Sequence, residues 1–102
     1  MSEAEVSEES QGTRLPSDLS LKHASKIAIV QDKPIMYDYW VDSIANKCFI
    51  GVKTNEEKLL VKNEDEYTSP IAKIYKVESE YLIMTENSIY IVDSTISTRR
   101  IQ

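Results

Sequence analysis

The residues that most often do chemistry in proteins are scarce in this chain. It contains one histidine, His23, and one cysteine, Cys48, in 102 residues. Zinc sites of the usual kind need four Cys or His ligands, and phosphate-cradling loops need glycines, of which there are two, Gly12 and Gly51. The sequence therefore predicts no enzyme activity, no metal site and no cofactor. Cys48 lies in an apolar run, which favours a buried structural thiol in a reducing compartment over a reactive one.

Two aspartates flank the single tryptophan. Asp38, Trp40 and Asp42 alternate with apolar residues in a segment that reads as a strand over residues 35–42. Four strand residues put the two carboxylates about 13 Å apart, too far to share a metal ion or to flank a glycosidic bond. The stripe has two interpretations. Trp40 is either a hot spot that faces a partner, or it lies under an N-terminal helix with its indole N–H satisfied.

Charge and aromatic spacing bear on nucleic-acid binding. Residues 1–20 hold five acidic side chains and one basic one, whereas residues 21–102 hold 12 acidic and 11 basic ones. The interleaving of Lys73, Tyr75 and Lys76 is typical of single-strand binders, where bases stack on aromatic rings. The near-neutral body weakens this interpretation, since such domains are usually basic. The acidic run Glu64 to Glu66 lacks the ligand spacing of a calcium loop and indicates a solvated loop.

The N-terminal part divides into a tail and a helix. Residues 1–17 have too little apolar surface to offset ordering entropy, and we expect a flexible acidic tail. The tail is either a solubilising leader or a phosphorylation target at its serines. Ser17 is a candidate cap for a helix over residues 18–31, with apolar recurrence at Leu19, His23, Ile27 and Val30. A strand over residues 26–31 is the competing prediction.

Short strands follow the helix. Besides residues 35–42, we predict strands at 48–52, 58–62 and 71–77, then a hairpin over 81–93. Gly51 suggests a bulge or a close backbone approach. The predicted fold is α+β, mainly β, with one N-terminal helix packed on an antiparallel meander of about six short strands, either a curled sheet or a small barrel. Residues 18–102 are expected to form a single small domain.

The hairpin is apolar on both faces, which is unusual for so small a domain. If Glu86 and Asn87 form a two-residue loop, the residues sort into two sets of four; a three-residue loop shifts the pairing by one position and leaves both faces apolar. One face belongs to the core. Residues 18–31 or a partner must cover the other. The sets are Leu82, Met84, Ile89 and Ile91 on one face, and Tyr81, Ile83, Tyr90 and Val92 on the other.

Two resemblances extend over parts of the chain. AIVQDKPIMYDYW, residues 28–40, resembles the helix-to-strand step that enters a thioredoxin-type fold, but no Cys-x-x-Cys follows, so redox activity is not carried over. The acidic leader followed by DKPIMYDYW, KLLVKNEDEYTSPI and TENSIYIV is similar to small uncharacterised proteins of large DNA viruses of algae and protists. That resemblance implies a virion-associated or infection-related role and assigns no function to any residue.

The sequence thus favours a noncatalytic protein-interaction or assembly module. We expect it to be soluble and intracellular, since its apolar runs are far shorter than the roughly 20 residues that span a bilayer. The expected partner is another protein, or a second copy bound through the β-sheet. The alternative is a single-stranded nucleic-acid binder on a small barrel, with Trp40, Tyr75 or Tyr90 stacking on bases. The candidate interaction residues are Trp40, Asp38, Asp42, Tyr81, Ile83, Tyr90 and Val92.

Overall fold

The computed structural model describes residues 14–101 as two helices and eight strands, mainly β. Residues 1–13, most of the predicted acidic tail, lie outside the described residues, and so do its candidate phosphorylation serines. The elements in chain order are α1 Asp18–Gln31, β1 Ile35–Met36, α2 Trp40–Ile44, β2 Phe49–Val52, β3 Lys58–Asn63, β4 Glu66–Tyr67, β5 Ile71–Val77, β6 Glu80–Thr85, β7 Ile89–Asp93 and β8 Ser97–Arg100.

The strands form two four-stranded sheets rather than one meander. Sheet 1 has the order β1-β7-β6-β5, and sheet 2 has the order β4-β3-β2-β8. Most neighbours are antiparallel, but β1 runs parallel to β7 and β8 runs parallel to β2. Both sheets are open, so the barrel alternative is wrong. The parallel pairs arise because β1 and β8 reach their partners from distant parts of the chain, and short local turns do not make such connections.

Helix α1 begins and ends where the sequence predicts. The Ser17 hydroxyl accepts a hydrogen bond of 3.1 Å from the Ser20 N–H, which satisfies one of the free donors of the first turn. At the other end, Asp32 adopts a left-handed conformation with φ 55°, just before the Lys33-Pro34 step that disfavours further helix. The strand alternative for residues 26–31 is therefore wrong.

The face of α1 that meets the sheet matches the predicted one only in part, at Ile27, which packs against the buried cluster that includes Ala24. The buried residues are Ser20 and Ala24, whereas Leu19 is 41% exposed and Val30 is 73% exposed. The helix is rotated because two small side chains allow close approach to the sheet. The Ser20 hydroxyl also donates a bond of 2.6 Å to Glu80 Oε1, which large apolar side chains at that contact would not allow.

The hairpin β6–β7 is the middle layer of the molecule. Its register pairs Met84 with Ile89 and Ile83 with Tyr90, which is the register of the two-residue loop. On one face, Leu82 and Ile91 pack with residues of α1 and α2; on the other, Ile83 and Val92 pack with residues of sheet 2. Residues 18–31 thus cover the second apolar face of the hairpin, for which the sequence allows either these residues or a partner. The two clusters are Ala24, Trp40, Leu82 and Ile91 on the helix side, and Tyr39, Cys48, Ile50, Leu60, Ile83, Val92 and Ile96 on the sheet 2 side.

The predicted strand over residues 35–42 is wrong beyond Met36. The Trp40 N–H donates to the Tyr37 carbonyl at 3.1 Å, and the chain turns into the short helix α2. This turn places Tyr39 in the cluster between the sheets and Trp40 in the cluster under α1. Burial of two large rings on opposite sides of sheet 1 overrides the local alternation. Strands β4 and β8 are also absent from the prediction, because neither segment is apolar enough to read as a strand.

Candidate interaction surfaces

Three of the seven candidate interaction residues lie in the interior. Ile83 and Val92 have no exposed surface, and Trp40 is 4% exposed. Tyr81 and Tyr90 are half-buried against the cluster between the sheets. Tyr90 meets Tyr39 edge to face, with ring centroids 5.3 Å apart. These five side chains therefore act first as packing residues, because the sheets and helices already cover them.

The two aspartates do not share a stripe with Trp40. Asp38 is exposed in the turn before α2, whereas Asp42 is half-buried and lies 3.5 Å from the Lys62 ammonium. Lys62 also lies 3.5 Å from Glu66 and 4.6 Å from the centroid of the Tyr39 ring. Burial lowers the pKa of Lys62, but Glu66 and Asp42 outweigh it and the pKa is raised. The lysine is thus held as a cation and joins α2 to sheet 2.

Trp40 anchors the segment that precedes α1. Its indole Nε1 donates a hydrogen bond of 2.7 Å to the Arg14 carbonyl, and the Arg14 guanidinium lies 4.9 Å from the ring centroid. The indole N–H is therefore satisfied within the chain, and the ring packs with Ala24 of α1. Arg14 to Ser17 belong to the predicted flexible tail, but in the structure they are bound to the hairpin and to α2.

Two buried carboxylates face each other at the open end of the hairpin. Glu80 and Asp93 are cross-strand partners, and their side chains are only 2% and 8% exposed. The Arg14 guanidinium bridges them, 3.1 Å from Glu80 Oε2 and 2.5 Å from Asp93 Oδ1. The sequence gives no signal for this cluster, because Arg14 meets partners 66 and 79 positions away.

Hydrogen bonds keep both of these carboxylates ionised. Burial raises the pKa of Glu80, but donors from Ser20, Ser17 and Arg14 outweigh it and lower the pKa below its usual 4.5. Burial also raises the pKa of Asp93, but hydrogen bonds from Thr95 and Arg14 outweigh this effect and lower the pKa. Within residues 14–101, every buried side-chain nitrogen or oxygen has a hydrogen-bond partner. The cluster is thus satisfied internally and has no unpaired group directed at a ligand.

The remaining reactive residue types do not assemble into a site. Burial, with a smaller contribution from Asp42, raises the pKa of Cys48 to about 11, so its buried thiol stays protonated at neutral pH. His23 is exposed on α1. In the part of the chain that the structure describes, no three His, Cys, Asp or Glu side chains come together as metal ligands.

The outer face of sheet 2 carries an apolar groove of about 620 Å³. Phe49, Leu59 and Val61 line it from β2 and β3, because residues at these positions alternate with Ile50 and Leu60, which point into the core. Tyr67 of β4 is 58% exposed at its edge. In the strand predicted at residues 58–62, Leu59 and Val61 alternate with Leu60, which is a sequence signal for this face, whereas no sequence signal marks Tyr67 at its edge. The lining residues are Phe49, Lys53, Leu59, Val61, Asn63, Glu64, Tyr67 and Ile101.

Ile101 partly fills this groove. Its N–H donates to the Val52 carbonyl at 3.0 Å, so the backbone beyond β8 continues beside β2. A Cβ atom on Gly51 would lie 2.8 Å from Ile101 Cδ1 and 3.2 Å from Val61 Cγ2. Gly51 therefore leaves room for the Ile101 side chain, whereas the sequence suggests a bulge or a close backbone approach at this glycine.

A second cleft, of about 440 Å³, lies between α1 and β5. Ile27, Tyr75 and Leu82 contribute apolar surface, while His23 and Lys76 are among its polar lining residues. It exists because α1 covers the centre of sheet 1 more closely than the outer strand. Among residues 14–101, no strand pairs with the free edge of β5.

Comparisons with protein-family models, with curated proteins and with solved structures find no match to this chain. Within the described residues, none of the helices has the length and apolar character needed to cross a membrane. Functional inference for this protein therefore rests on its own surfaces, among them the groove on sheet 2 and the cleft beside β5.

Proposed function

We propose that this protein is a noncatalytic assembly module that self-associates through the outer face of sheet 2. The observation that carries the proposal is the apolar groove on that face, which has Tyr67 more than half exposed at its edge. Exposed apolar surface of this kind marks binding sites, because burying it on association is favourable. A second copy of sheet 2 fits this face, since sheets pack face to face through apolar side chains.

The charges at the two ends of the groove are self-complementary. Lys53 follows the last residue of β2, and Glu64 follows the last residue of β3. Because β2 and β3 are antiparallel, these two residues lie at opposite ends of the groove. A twofold axis across the strands places Lys53 of each copy near Glu64 of the other, as an isologous interface requires. This pairing favours a second copy over an unrelated apolar partner.

The expected association is weak to moderate. Leu59 and Val61 are nearly buried in the single chain, with only 8% and 7% of their surface exposed. The additional apolar surface buried on association therefore comes mainly from Tyr67, Phe49 and Ile101. We therefore expect a dissociation constant on the order of 10 μM rather than the nanomolar values of large obligate dimers. Tyrosine suits this role, because its ring supplies large contact area at low entropic cost.

Sedimentation equilibrium of the full chain tests the proposal. We expect a monomer–dimer equilibrium that Tyr67→Glu weakens at least tenfold and that Tyr67→Phe retains. Tyr37→Glu is the matched control, because Tyr37 is similarly exposed, at 53%, but lies outside the groove. A monomer at all concentrations up to about 1 mM, or equal weakening by both Glu variants, would sink the proposal.

Charge reversal tests the arrangement of the two copies. Lys53→Glu and Glu64→Lys should each weaken the dimer, because each opposes like charges across the interface. The double variant restores both contacts and should recover most of the affinity. Additive losses in the double variant would contradict the twofold arrangement, since coupled residues are not additive.

The alternative function, single-stranded nucleic-acid binding, has no observation that favours it. Of its stacking candidates, Trp40 is buried and Tyr90 is packed against Tyr39, while Tyr75 is half-buried beside α1. Binding of an oligonucleotide that weakens steeply with salt would support it instead. A virion-associated or infection-related role stays a prediction from the sequence resemblance, and a self-assembling module is compatible with it.

A further inference from the structure

The free edge of β5 has the features of a peptide-binding strand. β5 is seven residues long and pairs only with β6 among the described residues. Its backbone donors and acceptors on the other side are therefore available for an added strand. The cleft between α1 and β5 lies on the side of this edge that faces the helix, next to Tyr75 and Val77. Strand addition beside a pocket that receives alternate side chains is a recurrent mode of peptide recognition.

The register of sheet 1 determines which side chains of an added strand would enter the cleft. Tyr75 is opposite Leu82, and both belong to the cluster under α1. Side chains of an added strand alternate between the two faces of the sheet. Every second residue of the strand would therefore point toward α1, where Ile27 and Leu82 provide an apolar floor. A single aliphatic side chain suits this position, because the cleft is apolar at its base.

The charges around this edge select an acidic partner. Lys73 and Lys76 are exposed on β5, and Lys26 is exposed on α1 one turn beyond His23. Glu78 is the single carboxylate among the described lining residues of the cleft. The region is locally basic in a chain whose net charge is −5. An acidic strand would be attracted to it, and the attraction would be strongest at low salt.

Exposed lysines on β5 disfavour pairing of two β5 edges. Lys73 and Lys76 are both exposed, and lysines on an edge strand are a common means of preventing edge-to-edge pairing. The shift in the β5–β6 register between Ile71 and Lys73 further distorts the start of this edge, as edge strands that avoid self-pairing often do.

We propose that the edge of β5 binds an extended acidic peptide of a partner protein, which adds a strand to sheet 1 and places one aliphatic side chain in the α1–β5 cleft. This site is separate from the self-association groove, which lies on sheet 2. A dimer formed through sheet 2 would carry two such sites and would bind divalent partners with increased avidity. The site itself does not depend on dimer formation.

Fluorescence anisotropy with synthetic peptides tests this site in the full chain. The probe is a capped, fluorescein-labelled heptapeptide of alternating Glu and Val, for which we expect a dissociation constant on the order of 100 μM. The alternating Lys and Val peptide should bind at least tenfold more weakly. An N-methylated version of the Glu and Val peptide, blocked on one edge, should also lose binding if the peptide adds as a strand. Equal binding of all three peptides, or no change in anisotropy up to about 1 mM protein, would overturn the proposal.

Charge reversal on β5 makes the test specific. The double variant Lys73→Glu with Lys76→Glu should lose at least tenfold in affinity for the acidic peptide and gain affinity for the basic one. The matched control is Lys47→Glu with Lys58→Glu, because both lysines are exposed but lie away from β5. Equal losses in the two double variants would overturn the assignment to β5. Amide chemical-shift changes confined to sheet 2 on peptide addition would do so as well.

Discussion

The hairpin β6–β7 and the pair β2–β3 are alike in sequence but differ in how they are covered. Both are short antiparallel pairs with apolar side chains on both faces. In the hairpin, Leu82 and Ile83 point to opposite faces and neither is exposed. In β2–β3, Leu60 is buried between the sheets, but the opposite face forms the open groove. Among residues 14–101, α1 is the one helix long enough to cover a sheet face, and it covers the hairpin.

Ion pairs and hydrogen bonds at the open end of the hairpin also help to cover it. Arg14 joins Glu80 to Asp93 and also contacts Trp40, so the segment before α1 is fixed at the same place as the helix start. On sheet 2, the Ile101 side chain lies over Gly51. The difference shows that an apolar face is a functional candidate only where the chain does not cover it itself.

The largest expected contrast concerns side-chain truncation. Ile83→Ala should lower the free energy of unfolding by about 2–5 kcal/mol, since it leaves a cavity between the two sheets. Tyr67→Ala should change it by less than about 0.5 kcal/mol in the monomer, because the ring is mostly solvated. Urea unfolding at low protein concentration measures both. Similar losses for the two variants would break the distinction between a covered and an open face.

A smaller contrast separates two arginines that pair with glutamates. Arg14→Ala should destabilise the protein by about 2 kcal/mol, less than the roughly 3–5 kcal/mol measured for fully buried pairs, because the Arg14 side chain is 47% exposed. It should also shift the emission of the single tryptophan to the red. Arg100→Ala is the control, because its partner Glu56 is 73% exposed and such pairs contribute about 0.5 kcal/mol. Equal effects would remove the structural role given to Arg14.

The smallest effect expected is on pH dependence. The pKa values of Glu80 and Asp93 are lowered on folding, so their contribution to stability is present above their ordinary values of 4.5 and 3.8 and is lost as the pH falls through the lower folded values. The double variant Glu80→Gln with Asp93→Asn should therefore lose less stability than the parent chain between pH 6 and pH 3. Glu56→Gln is the control and should follow the parent. Chemical unfolding at the two pH values measures the difference, and parallel curves for all three proteins would contradict it.

Local signals predicted much of the fold. Helix α1, strand β5 and the hairpin follow from a Ser cap, an apolar run and a polar turn, all of which act over a few residues. The strand prediction is wrong for residues 37–42, because their alternation is local whereas the burial of Tyr39 and Trp40 depends on both sides of sheet 1. β8 was missed for a related reason. Its four exposed residues are placed by pairing with β2 and by the anchoring of Ile96 and Ile101.

The candidate surfaces were only partly predictable. The sequence shows that Leu59 and Val61 face away from Leu60. Which of these two faces points into the core depends on how the two sheets pack against each other. The pattern therefore does not predict that Phe49 and Tyr67 border a groove. The free edge of β5 depends on strand order, which no local signal determines. The sequence identifies two-sided apolar strands and leaves residues 18–31 or a partner as the cover of the hairpin, and the structure shows that residues 18–31 cover it.

Intermolecular NOE spectroscopy on a mixture of isotope-labelled and unlabelled full chain tests the central claim most directly. If the uncovered face of sheet 2 is the self-association surface, intermolecular NOEs should join the Tyr67 and Phe49 rings of one copy to the Val61 and Ile101 methyl groups of the other, with no NOEs between copies from Ile83 or Val92. Intermolecular NOEs from β5 or from the hairpin, or none at about millimolar concentration, would contradict the account.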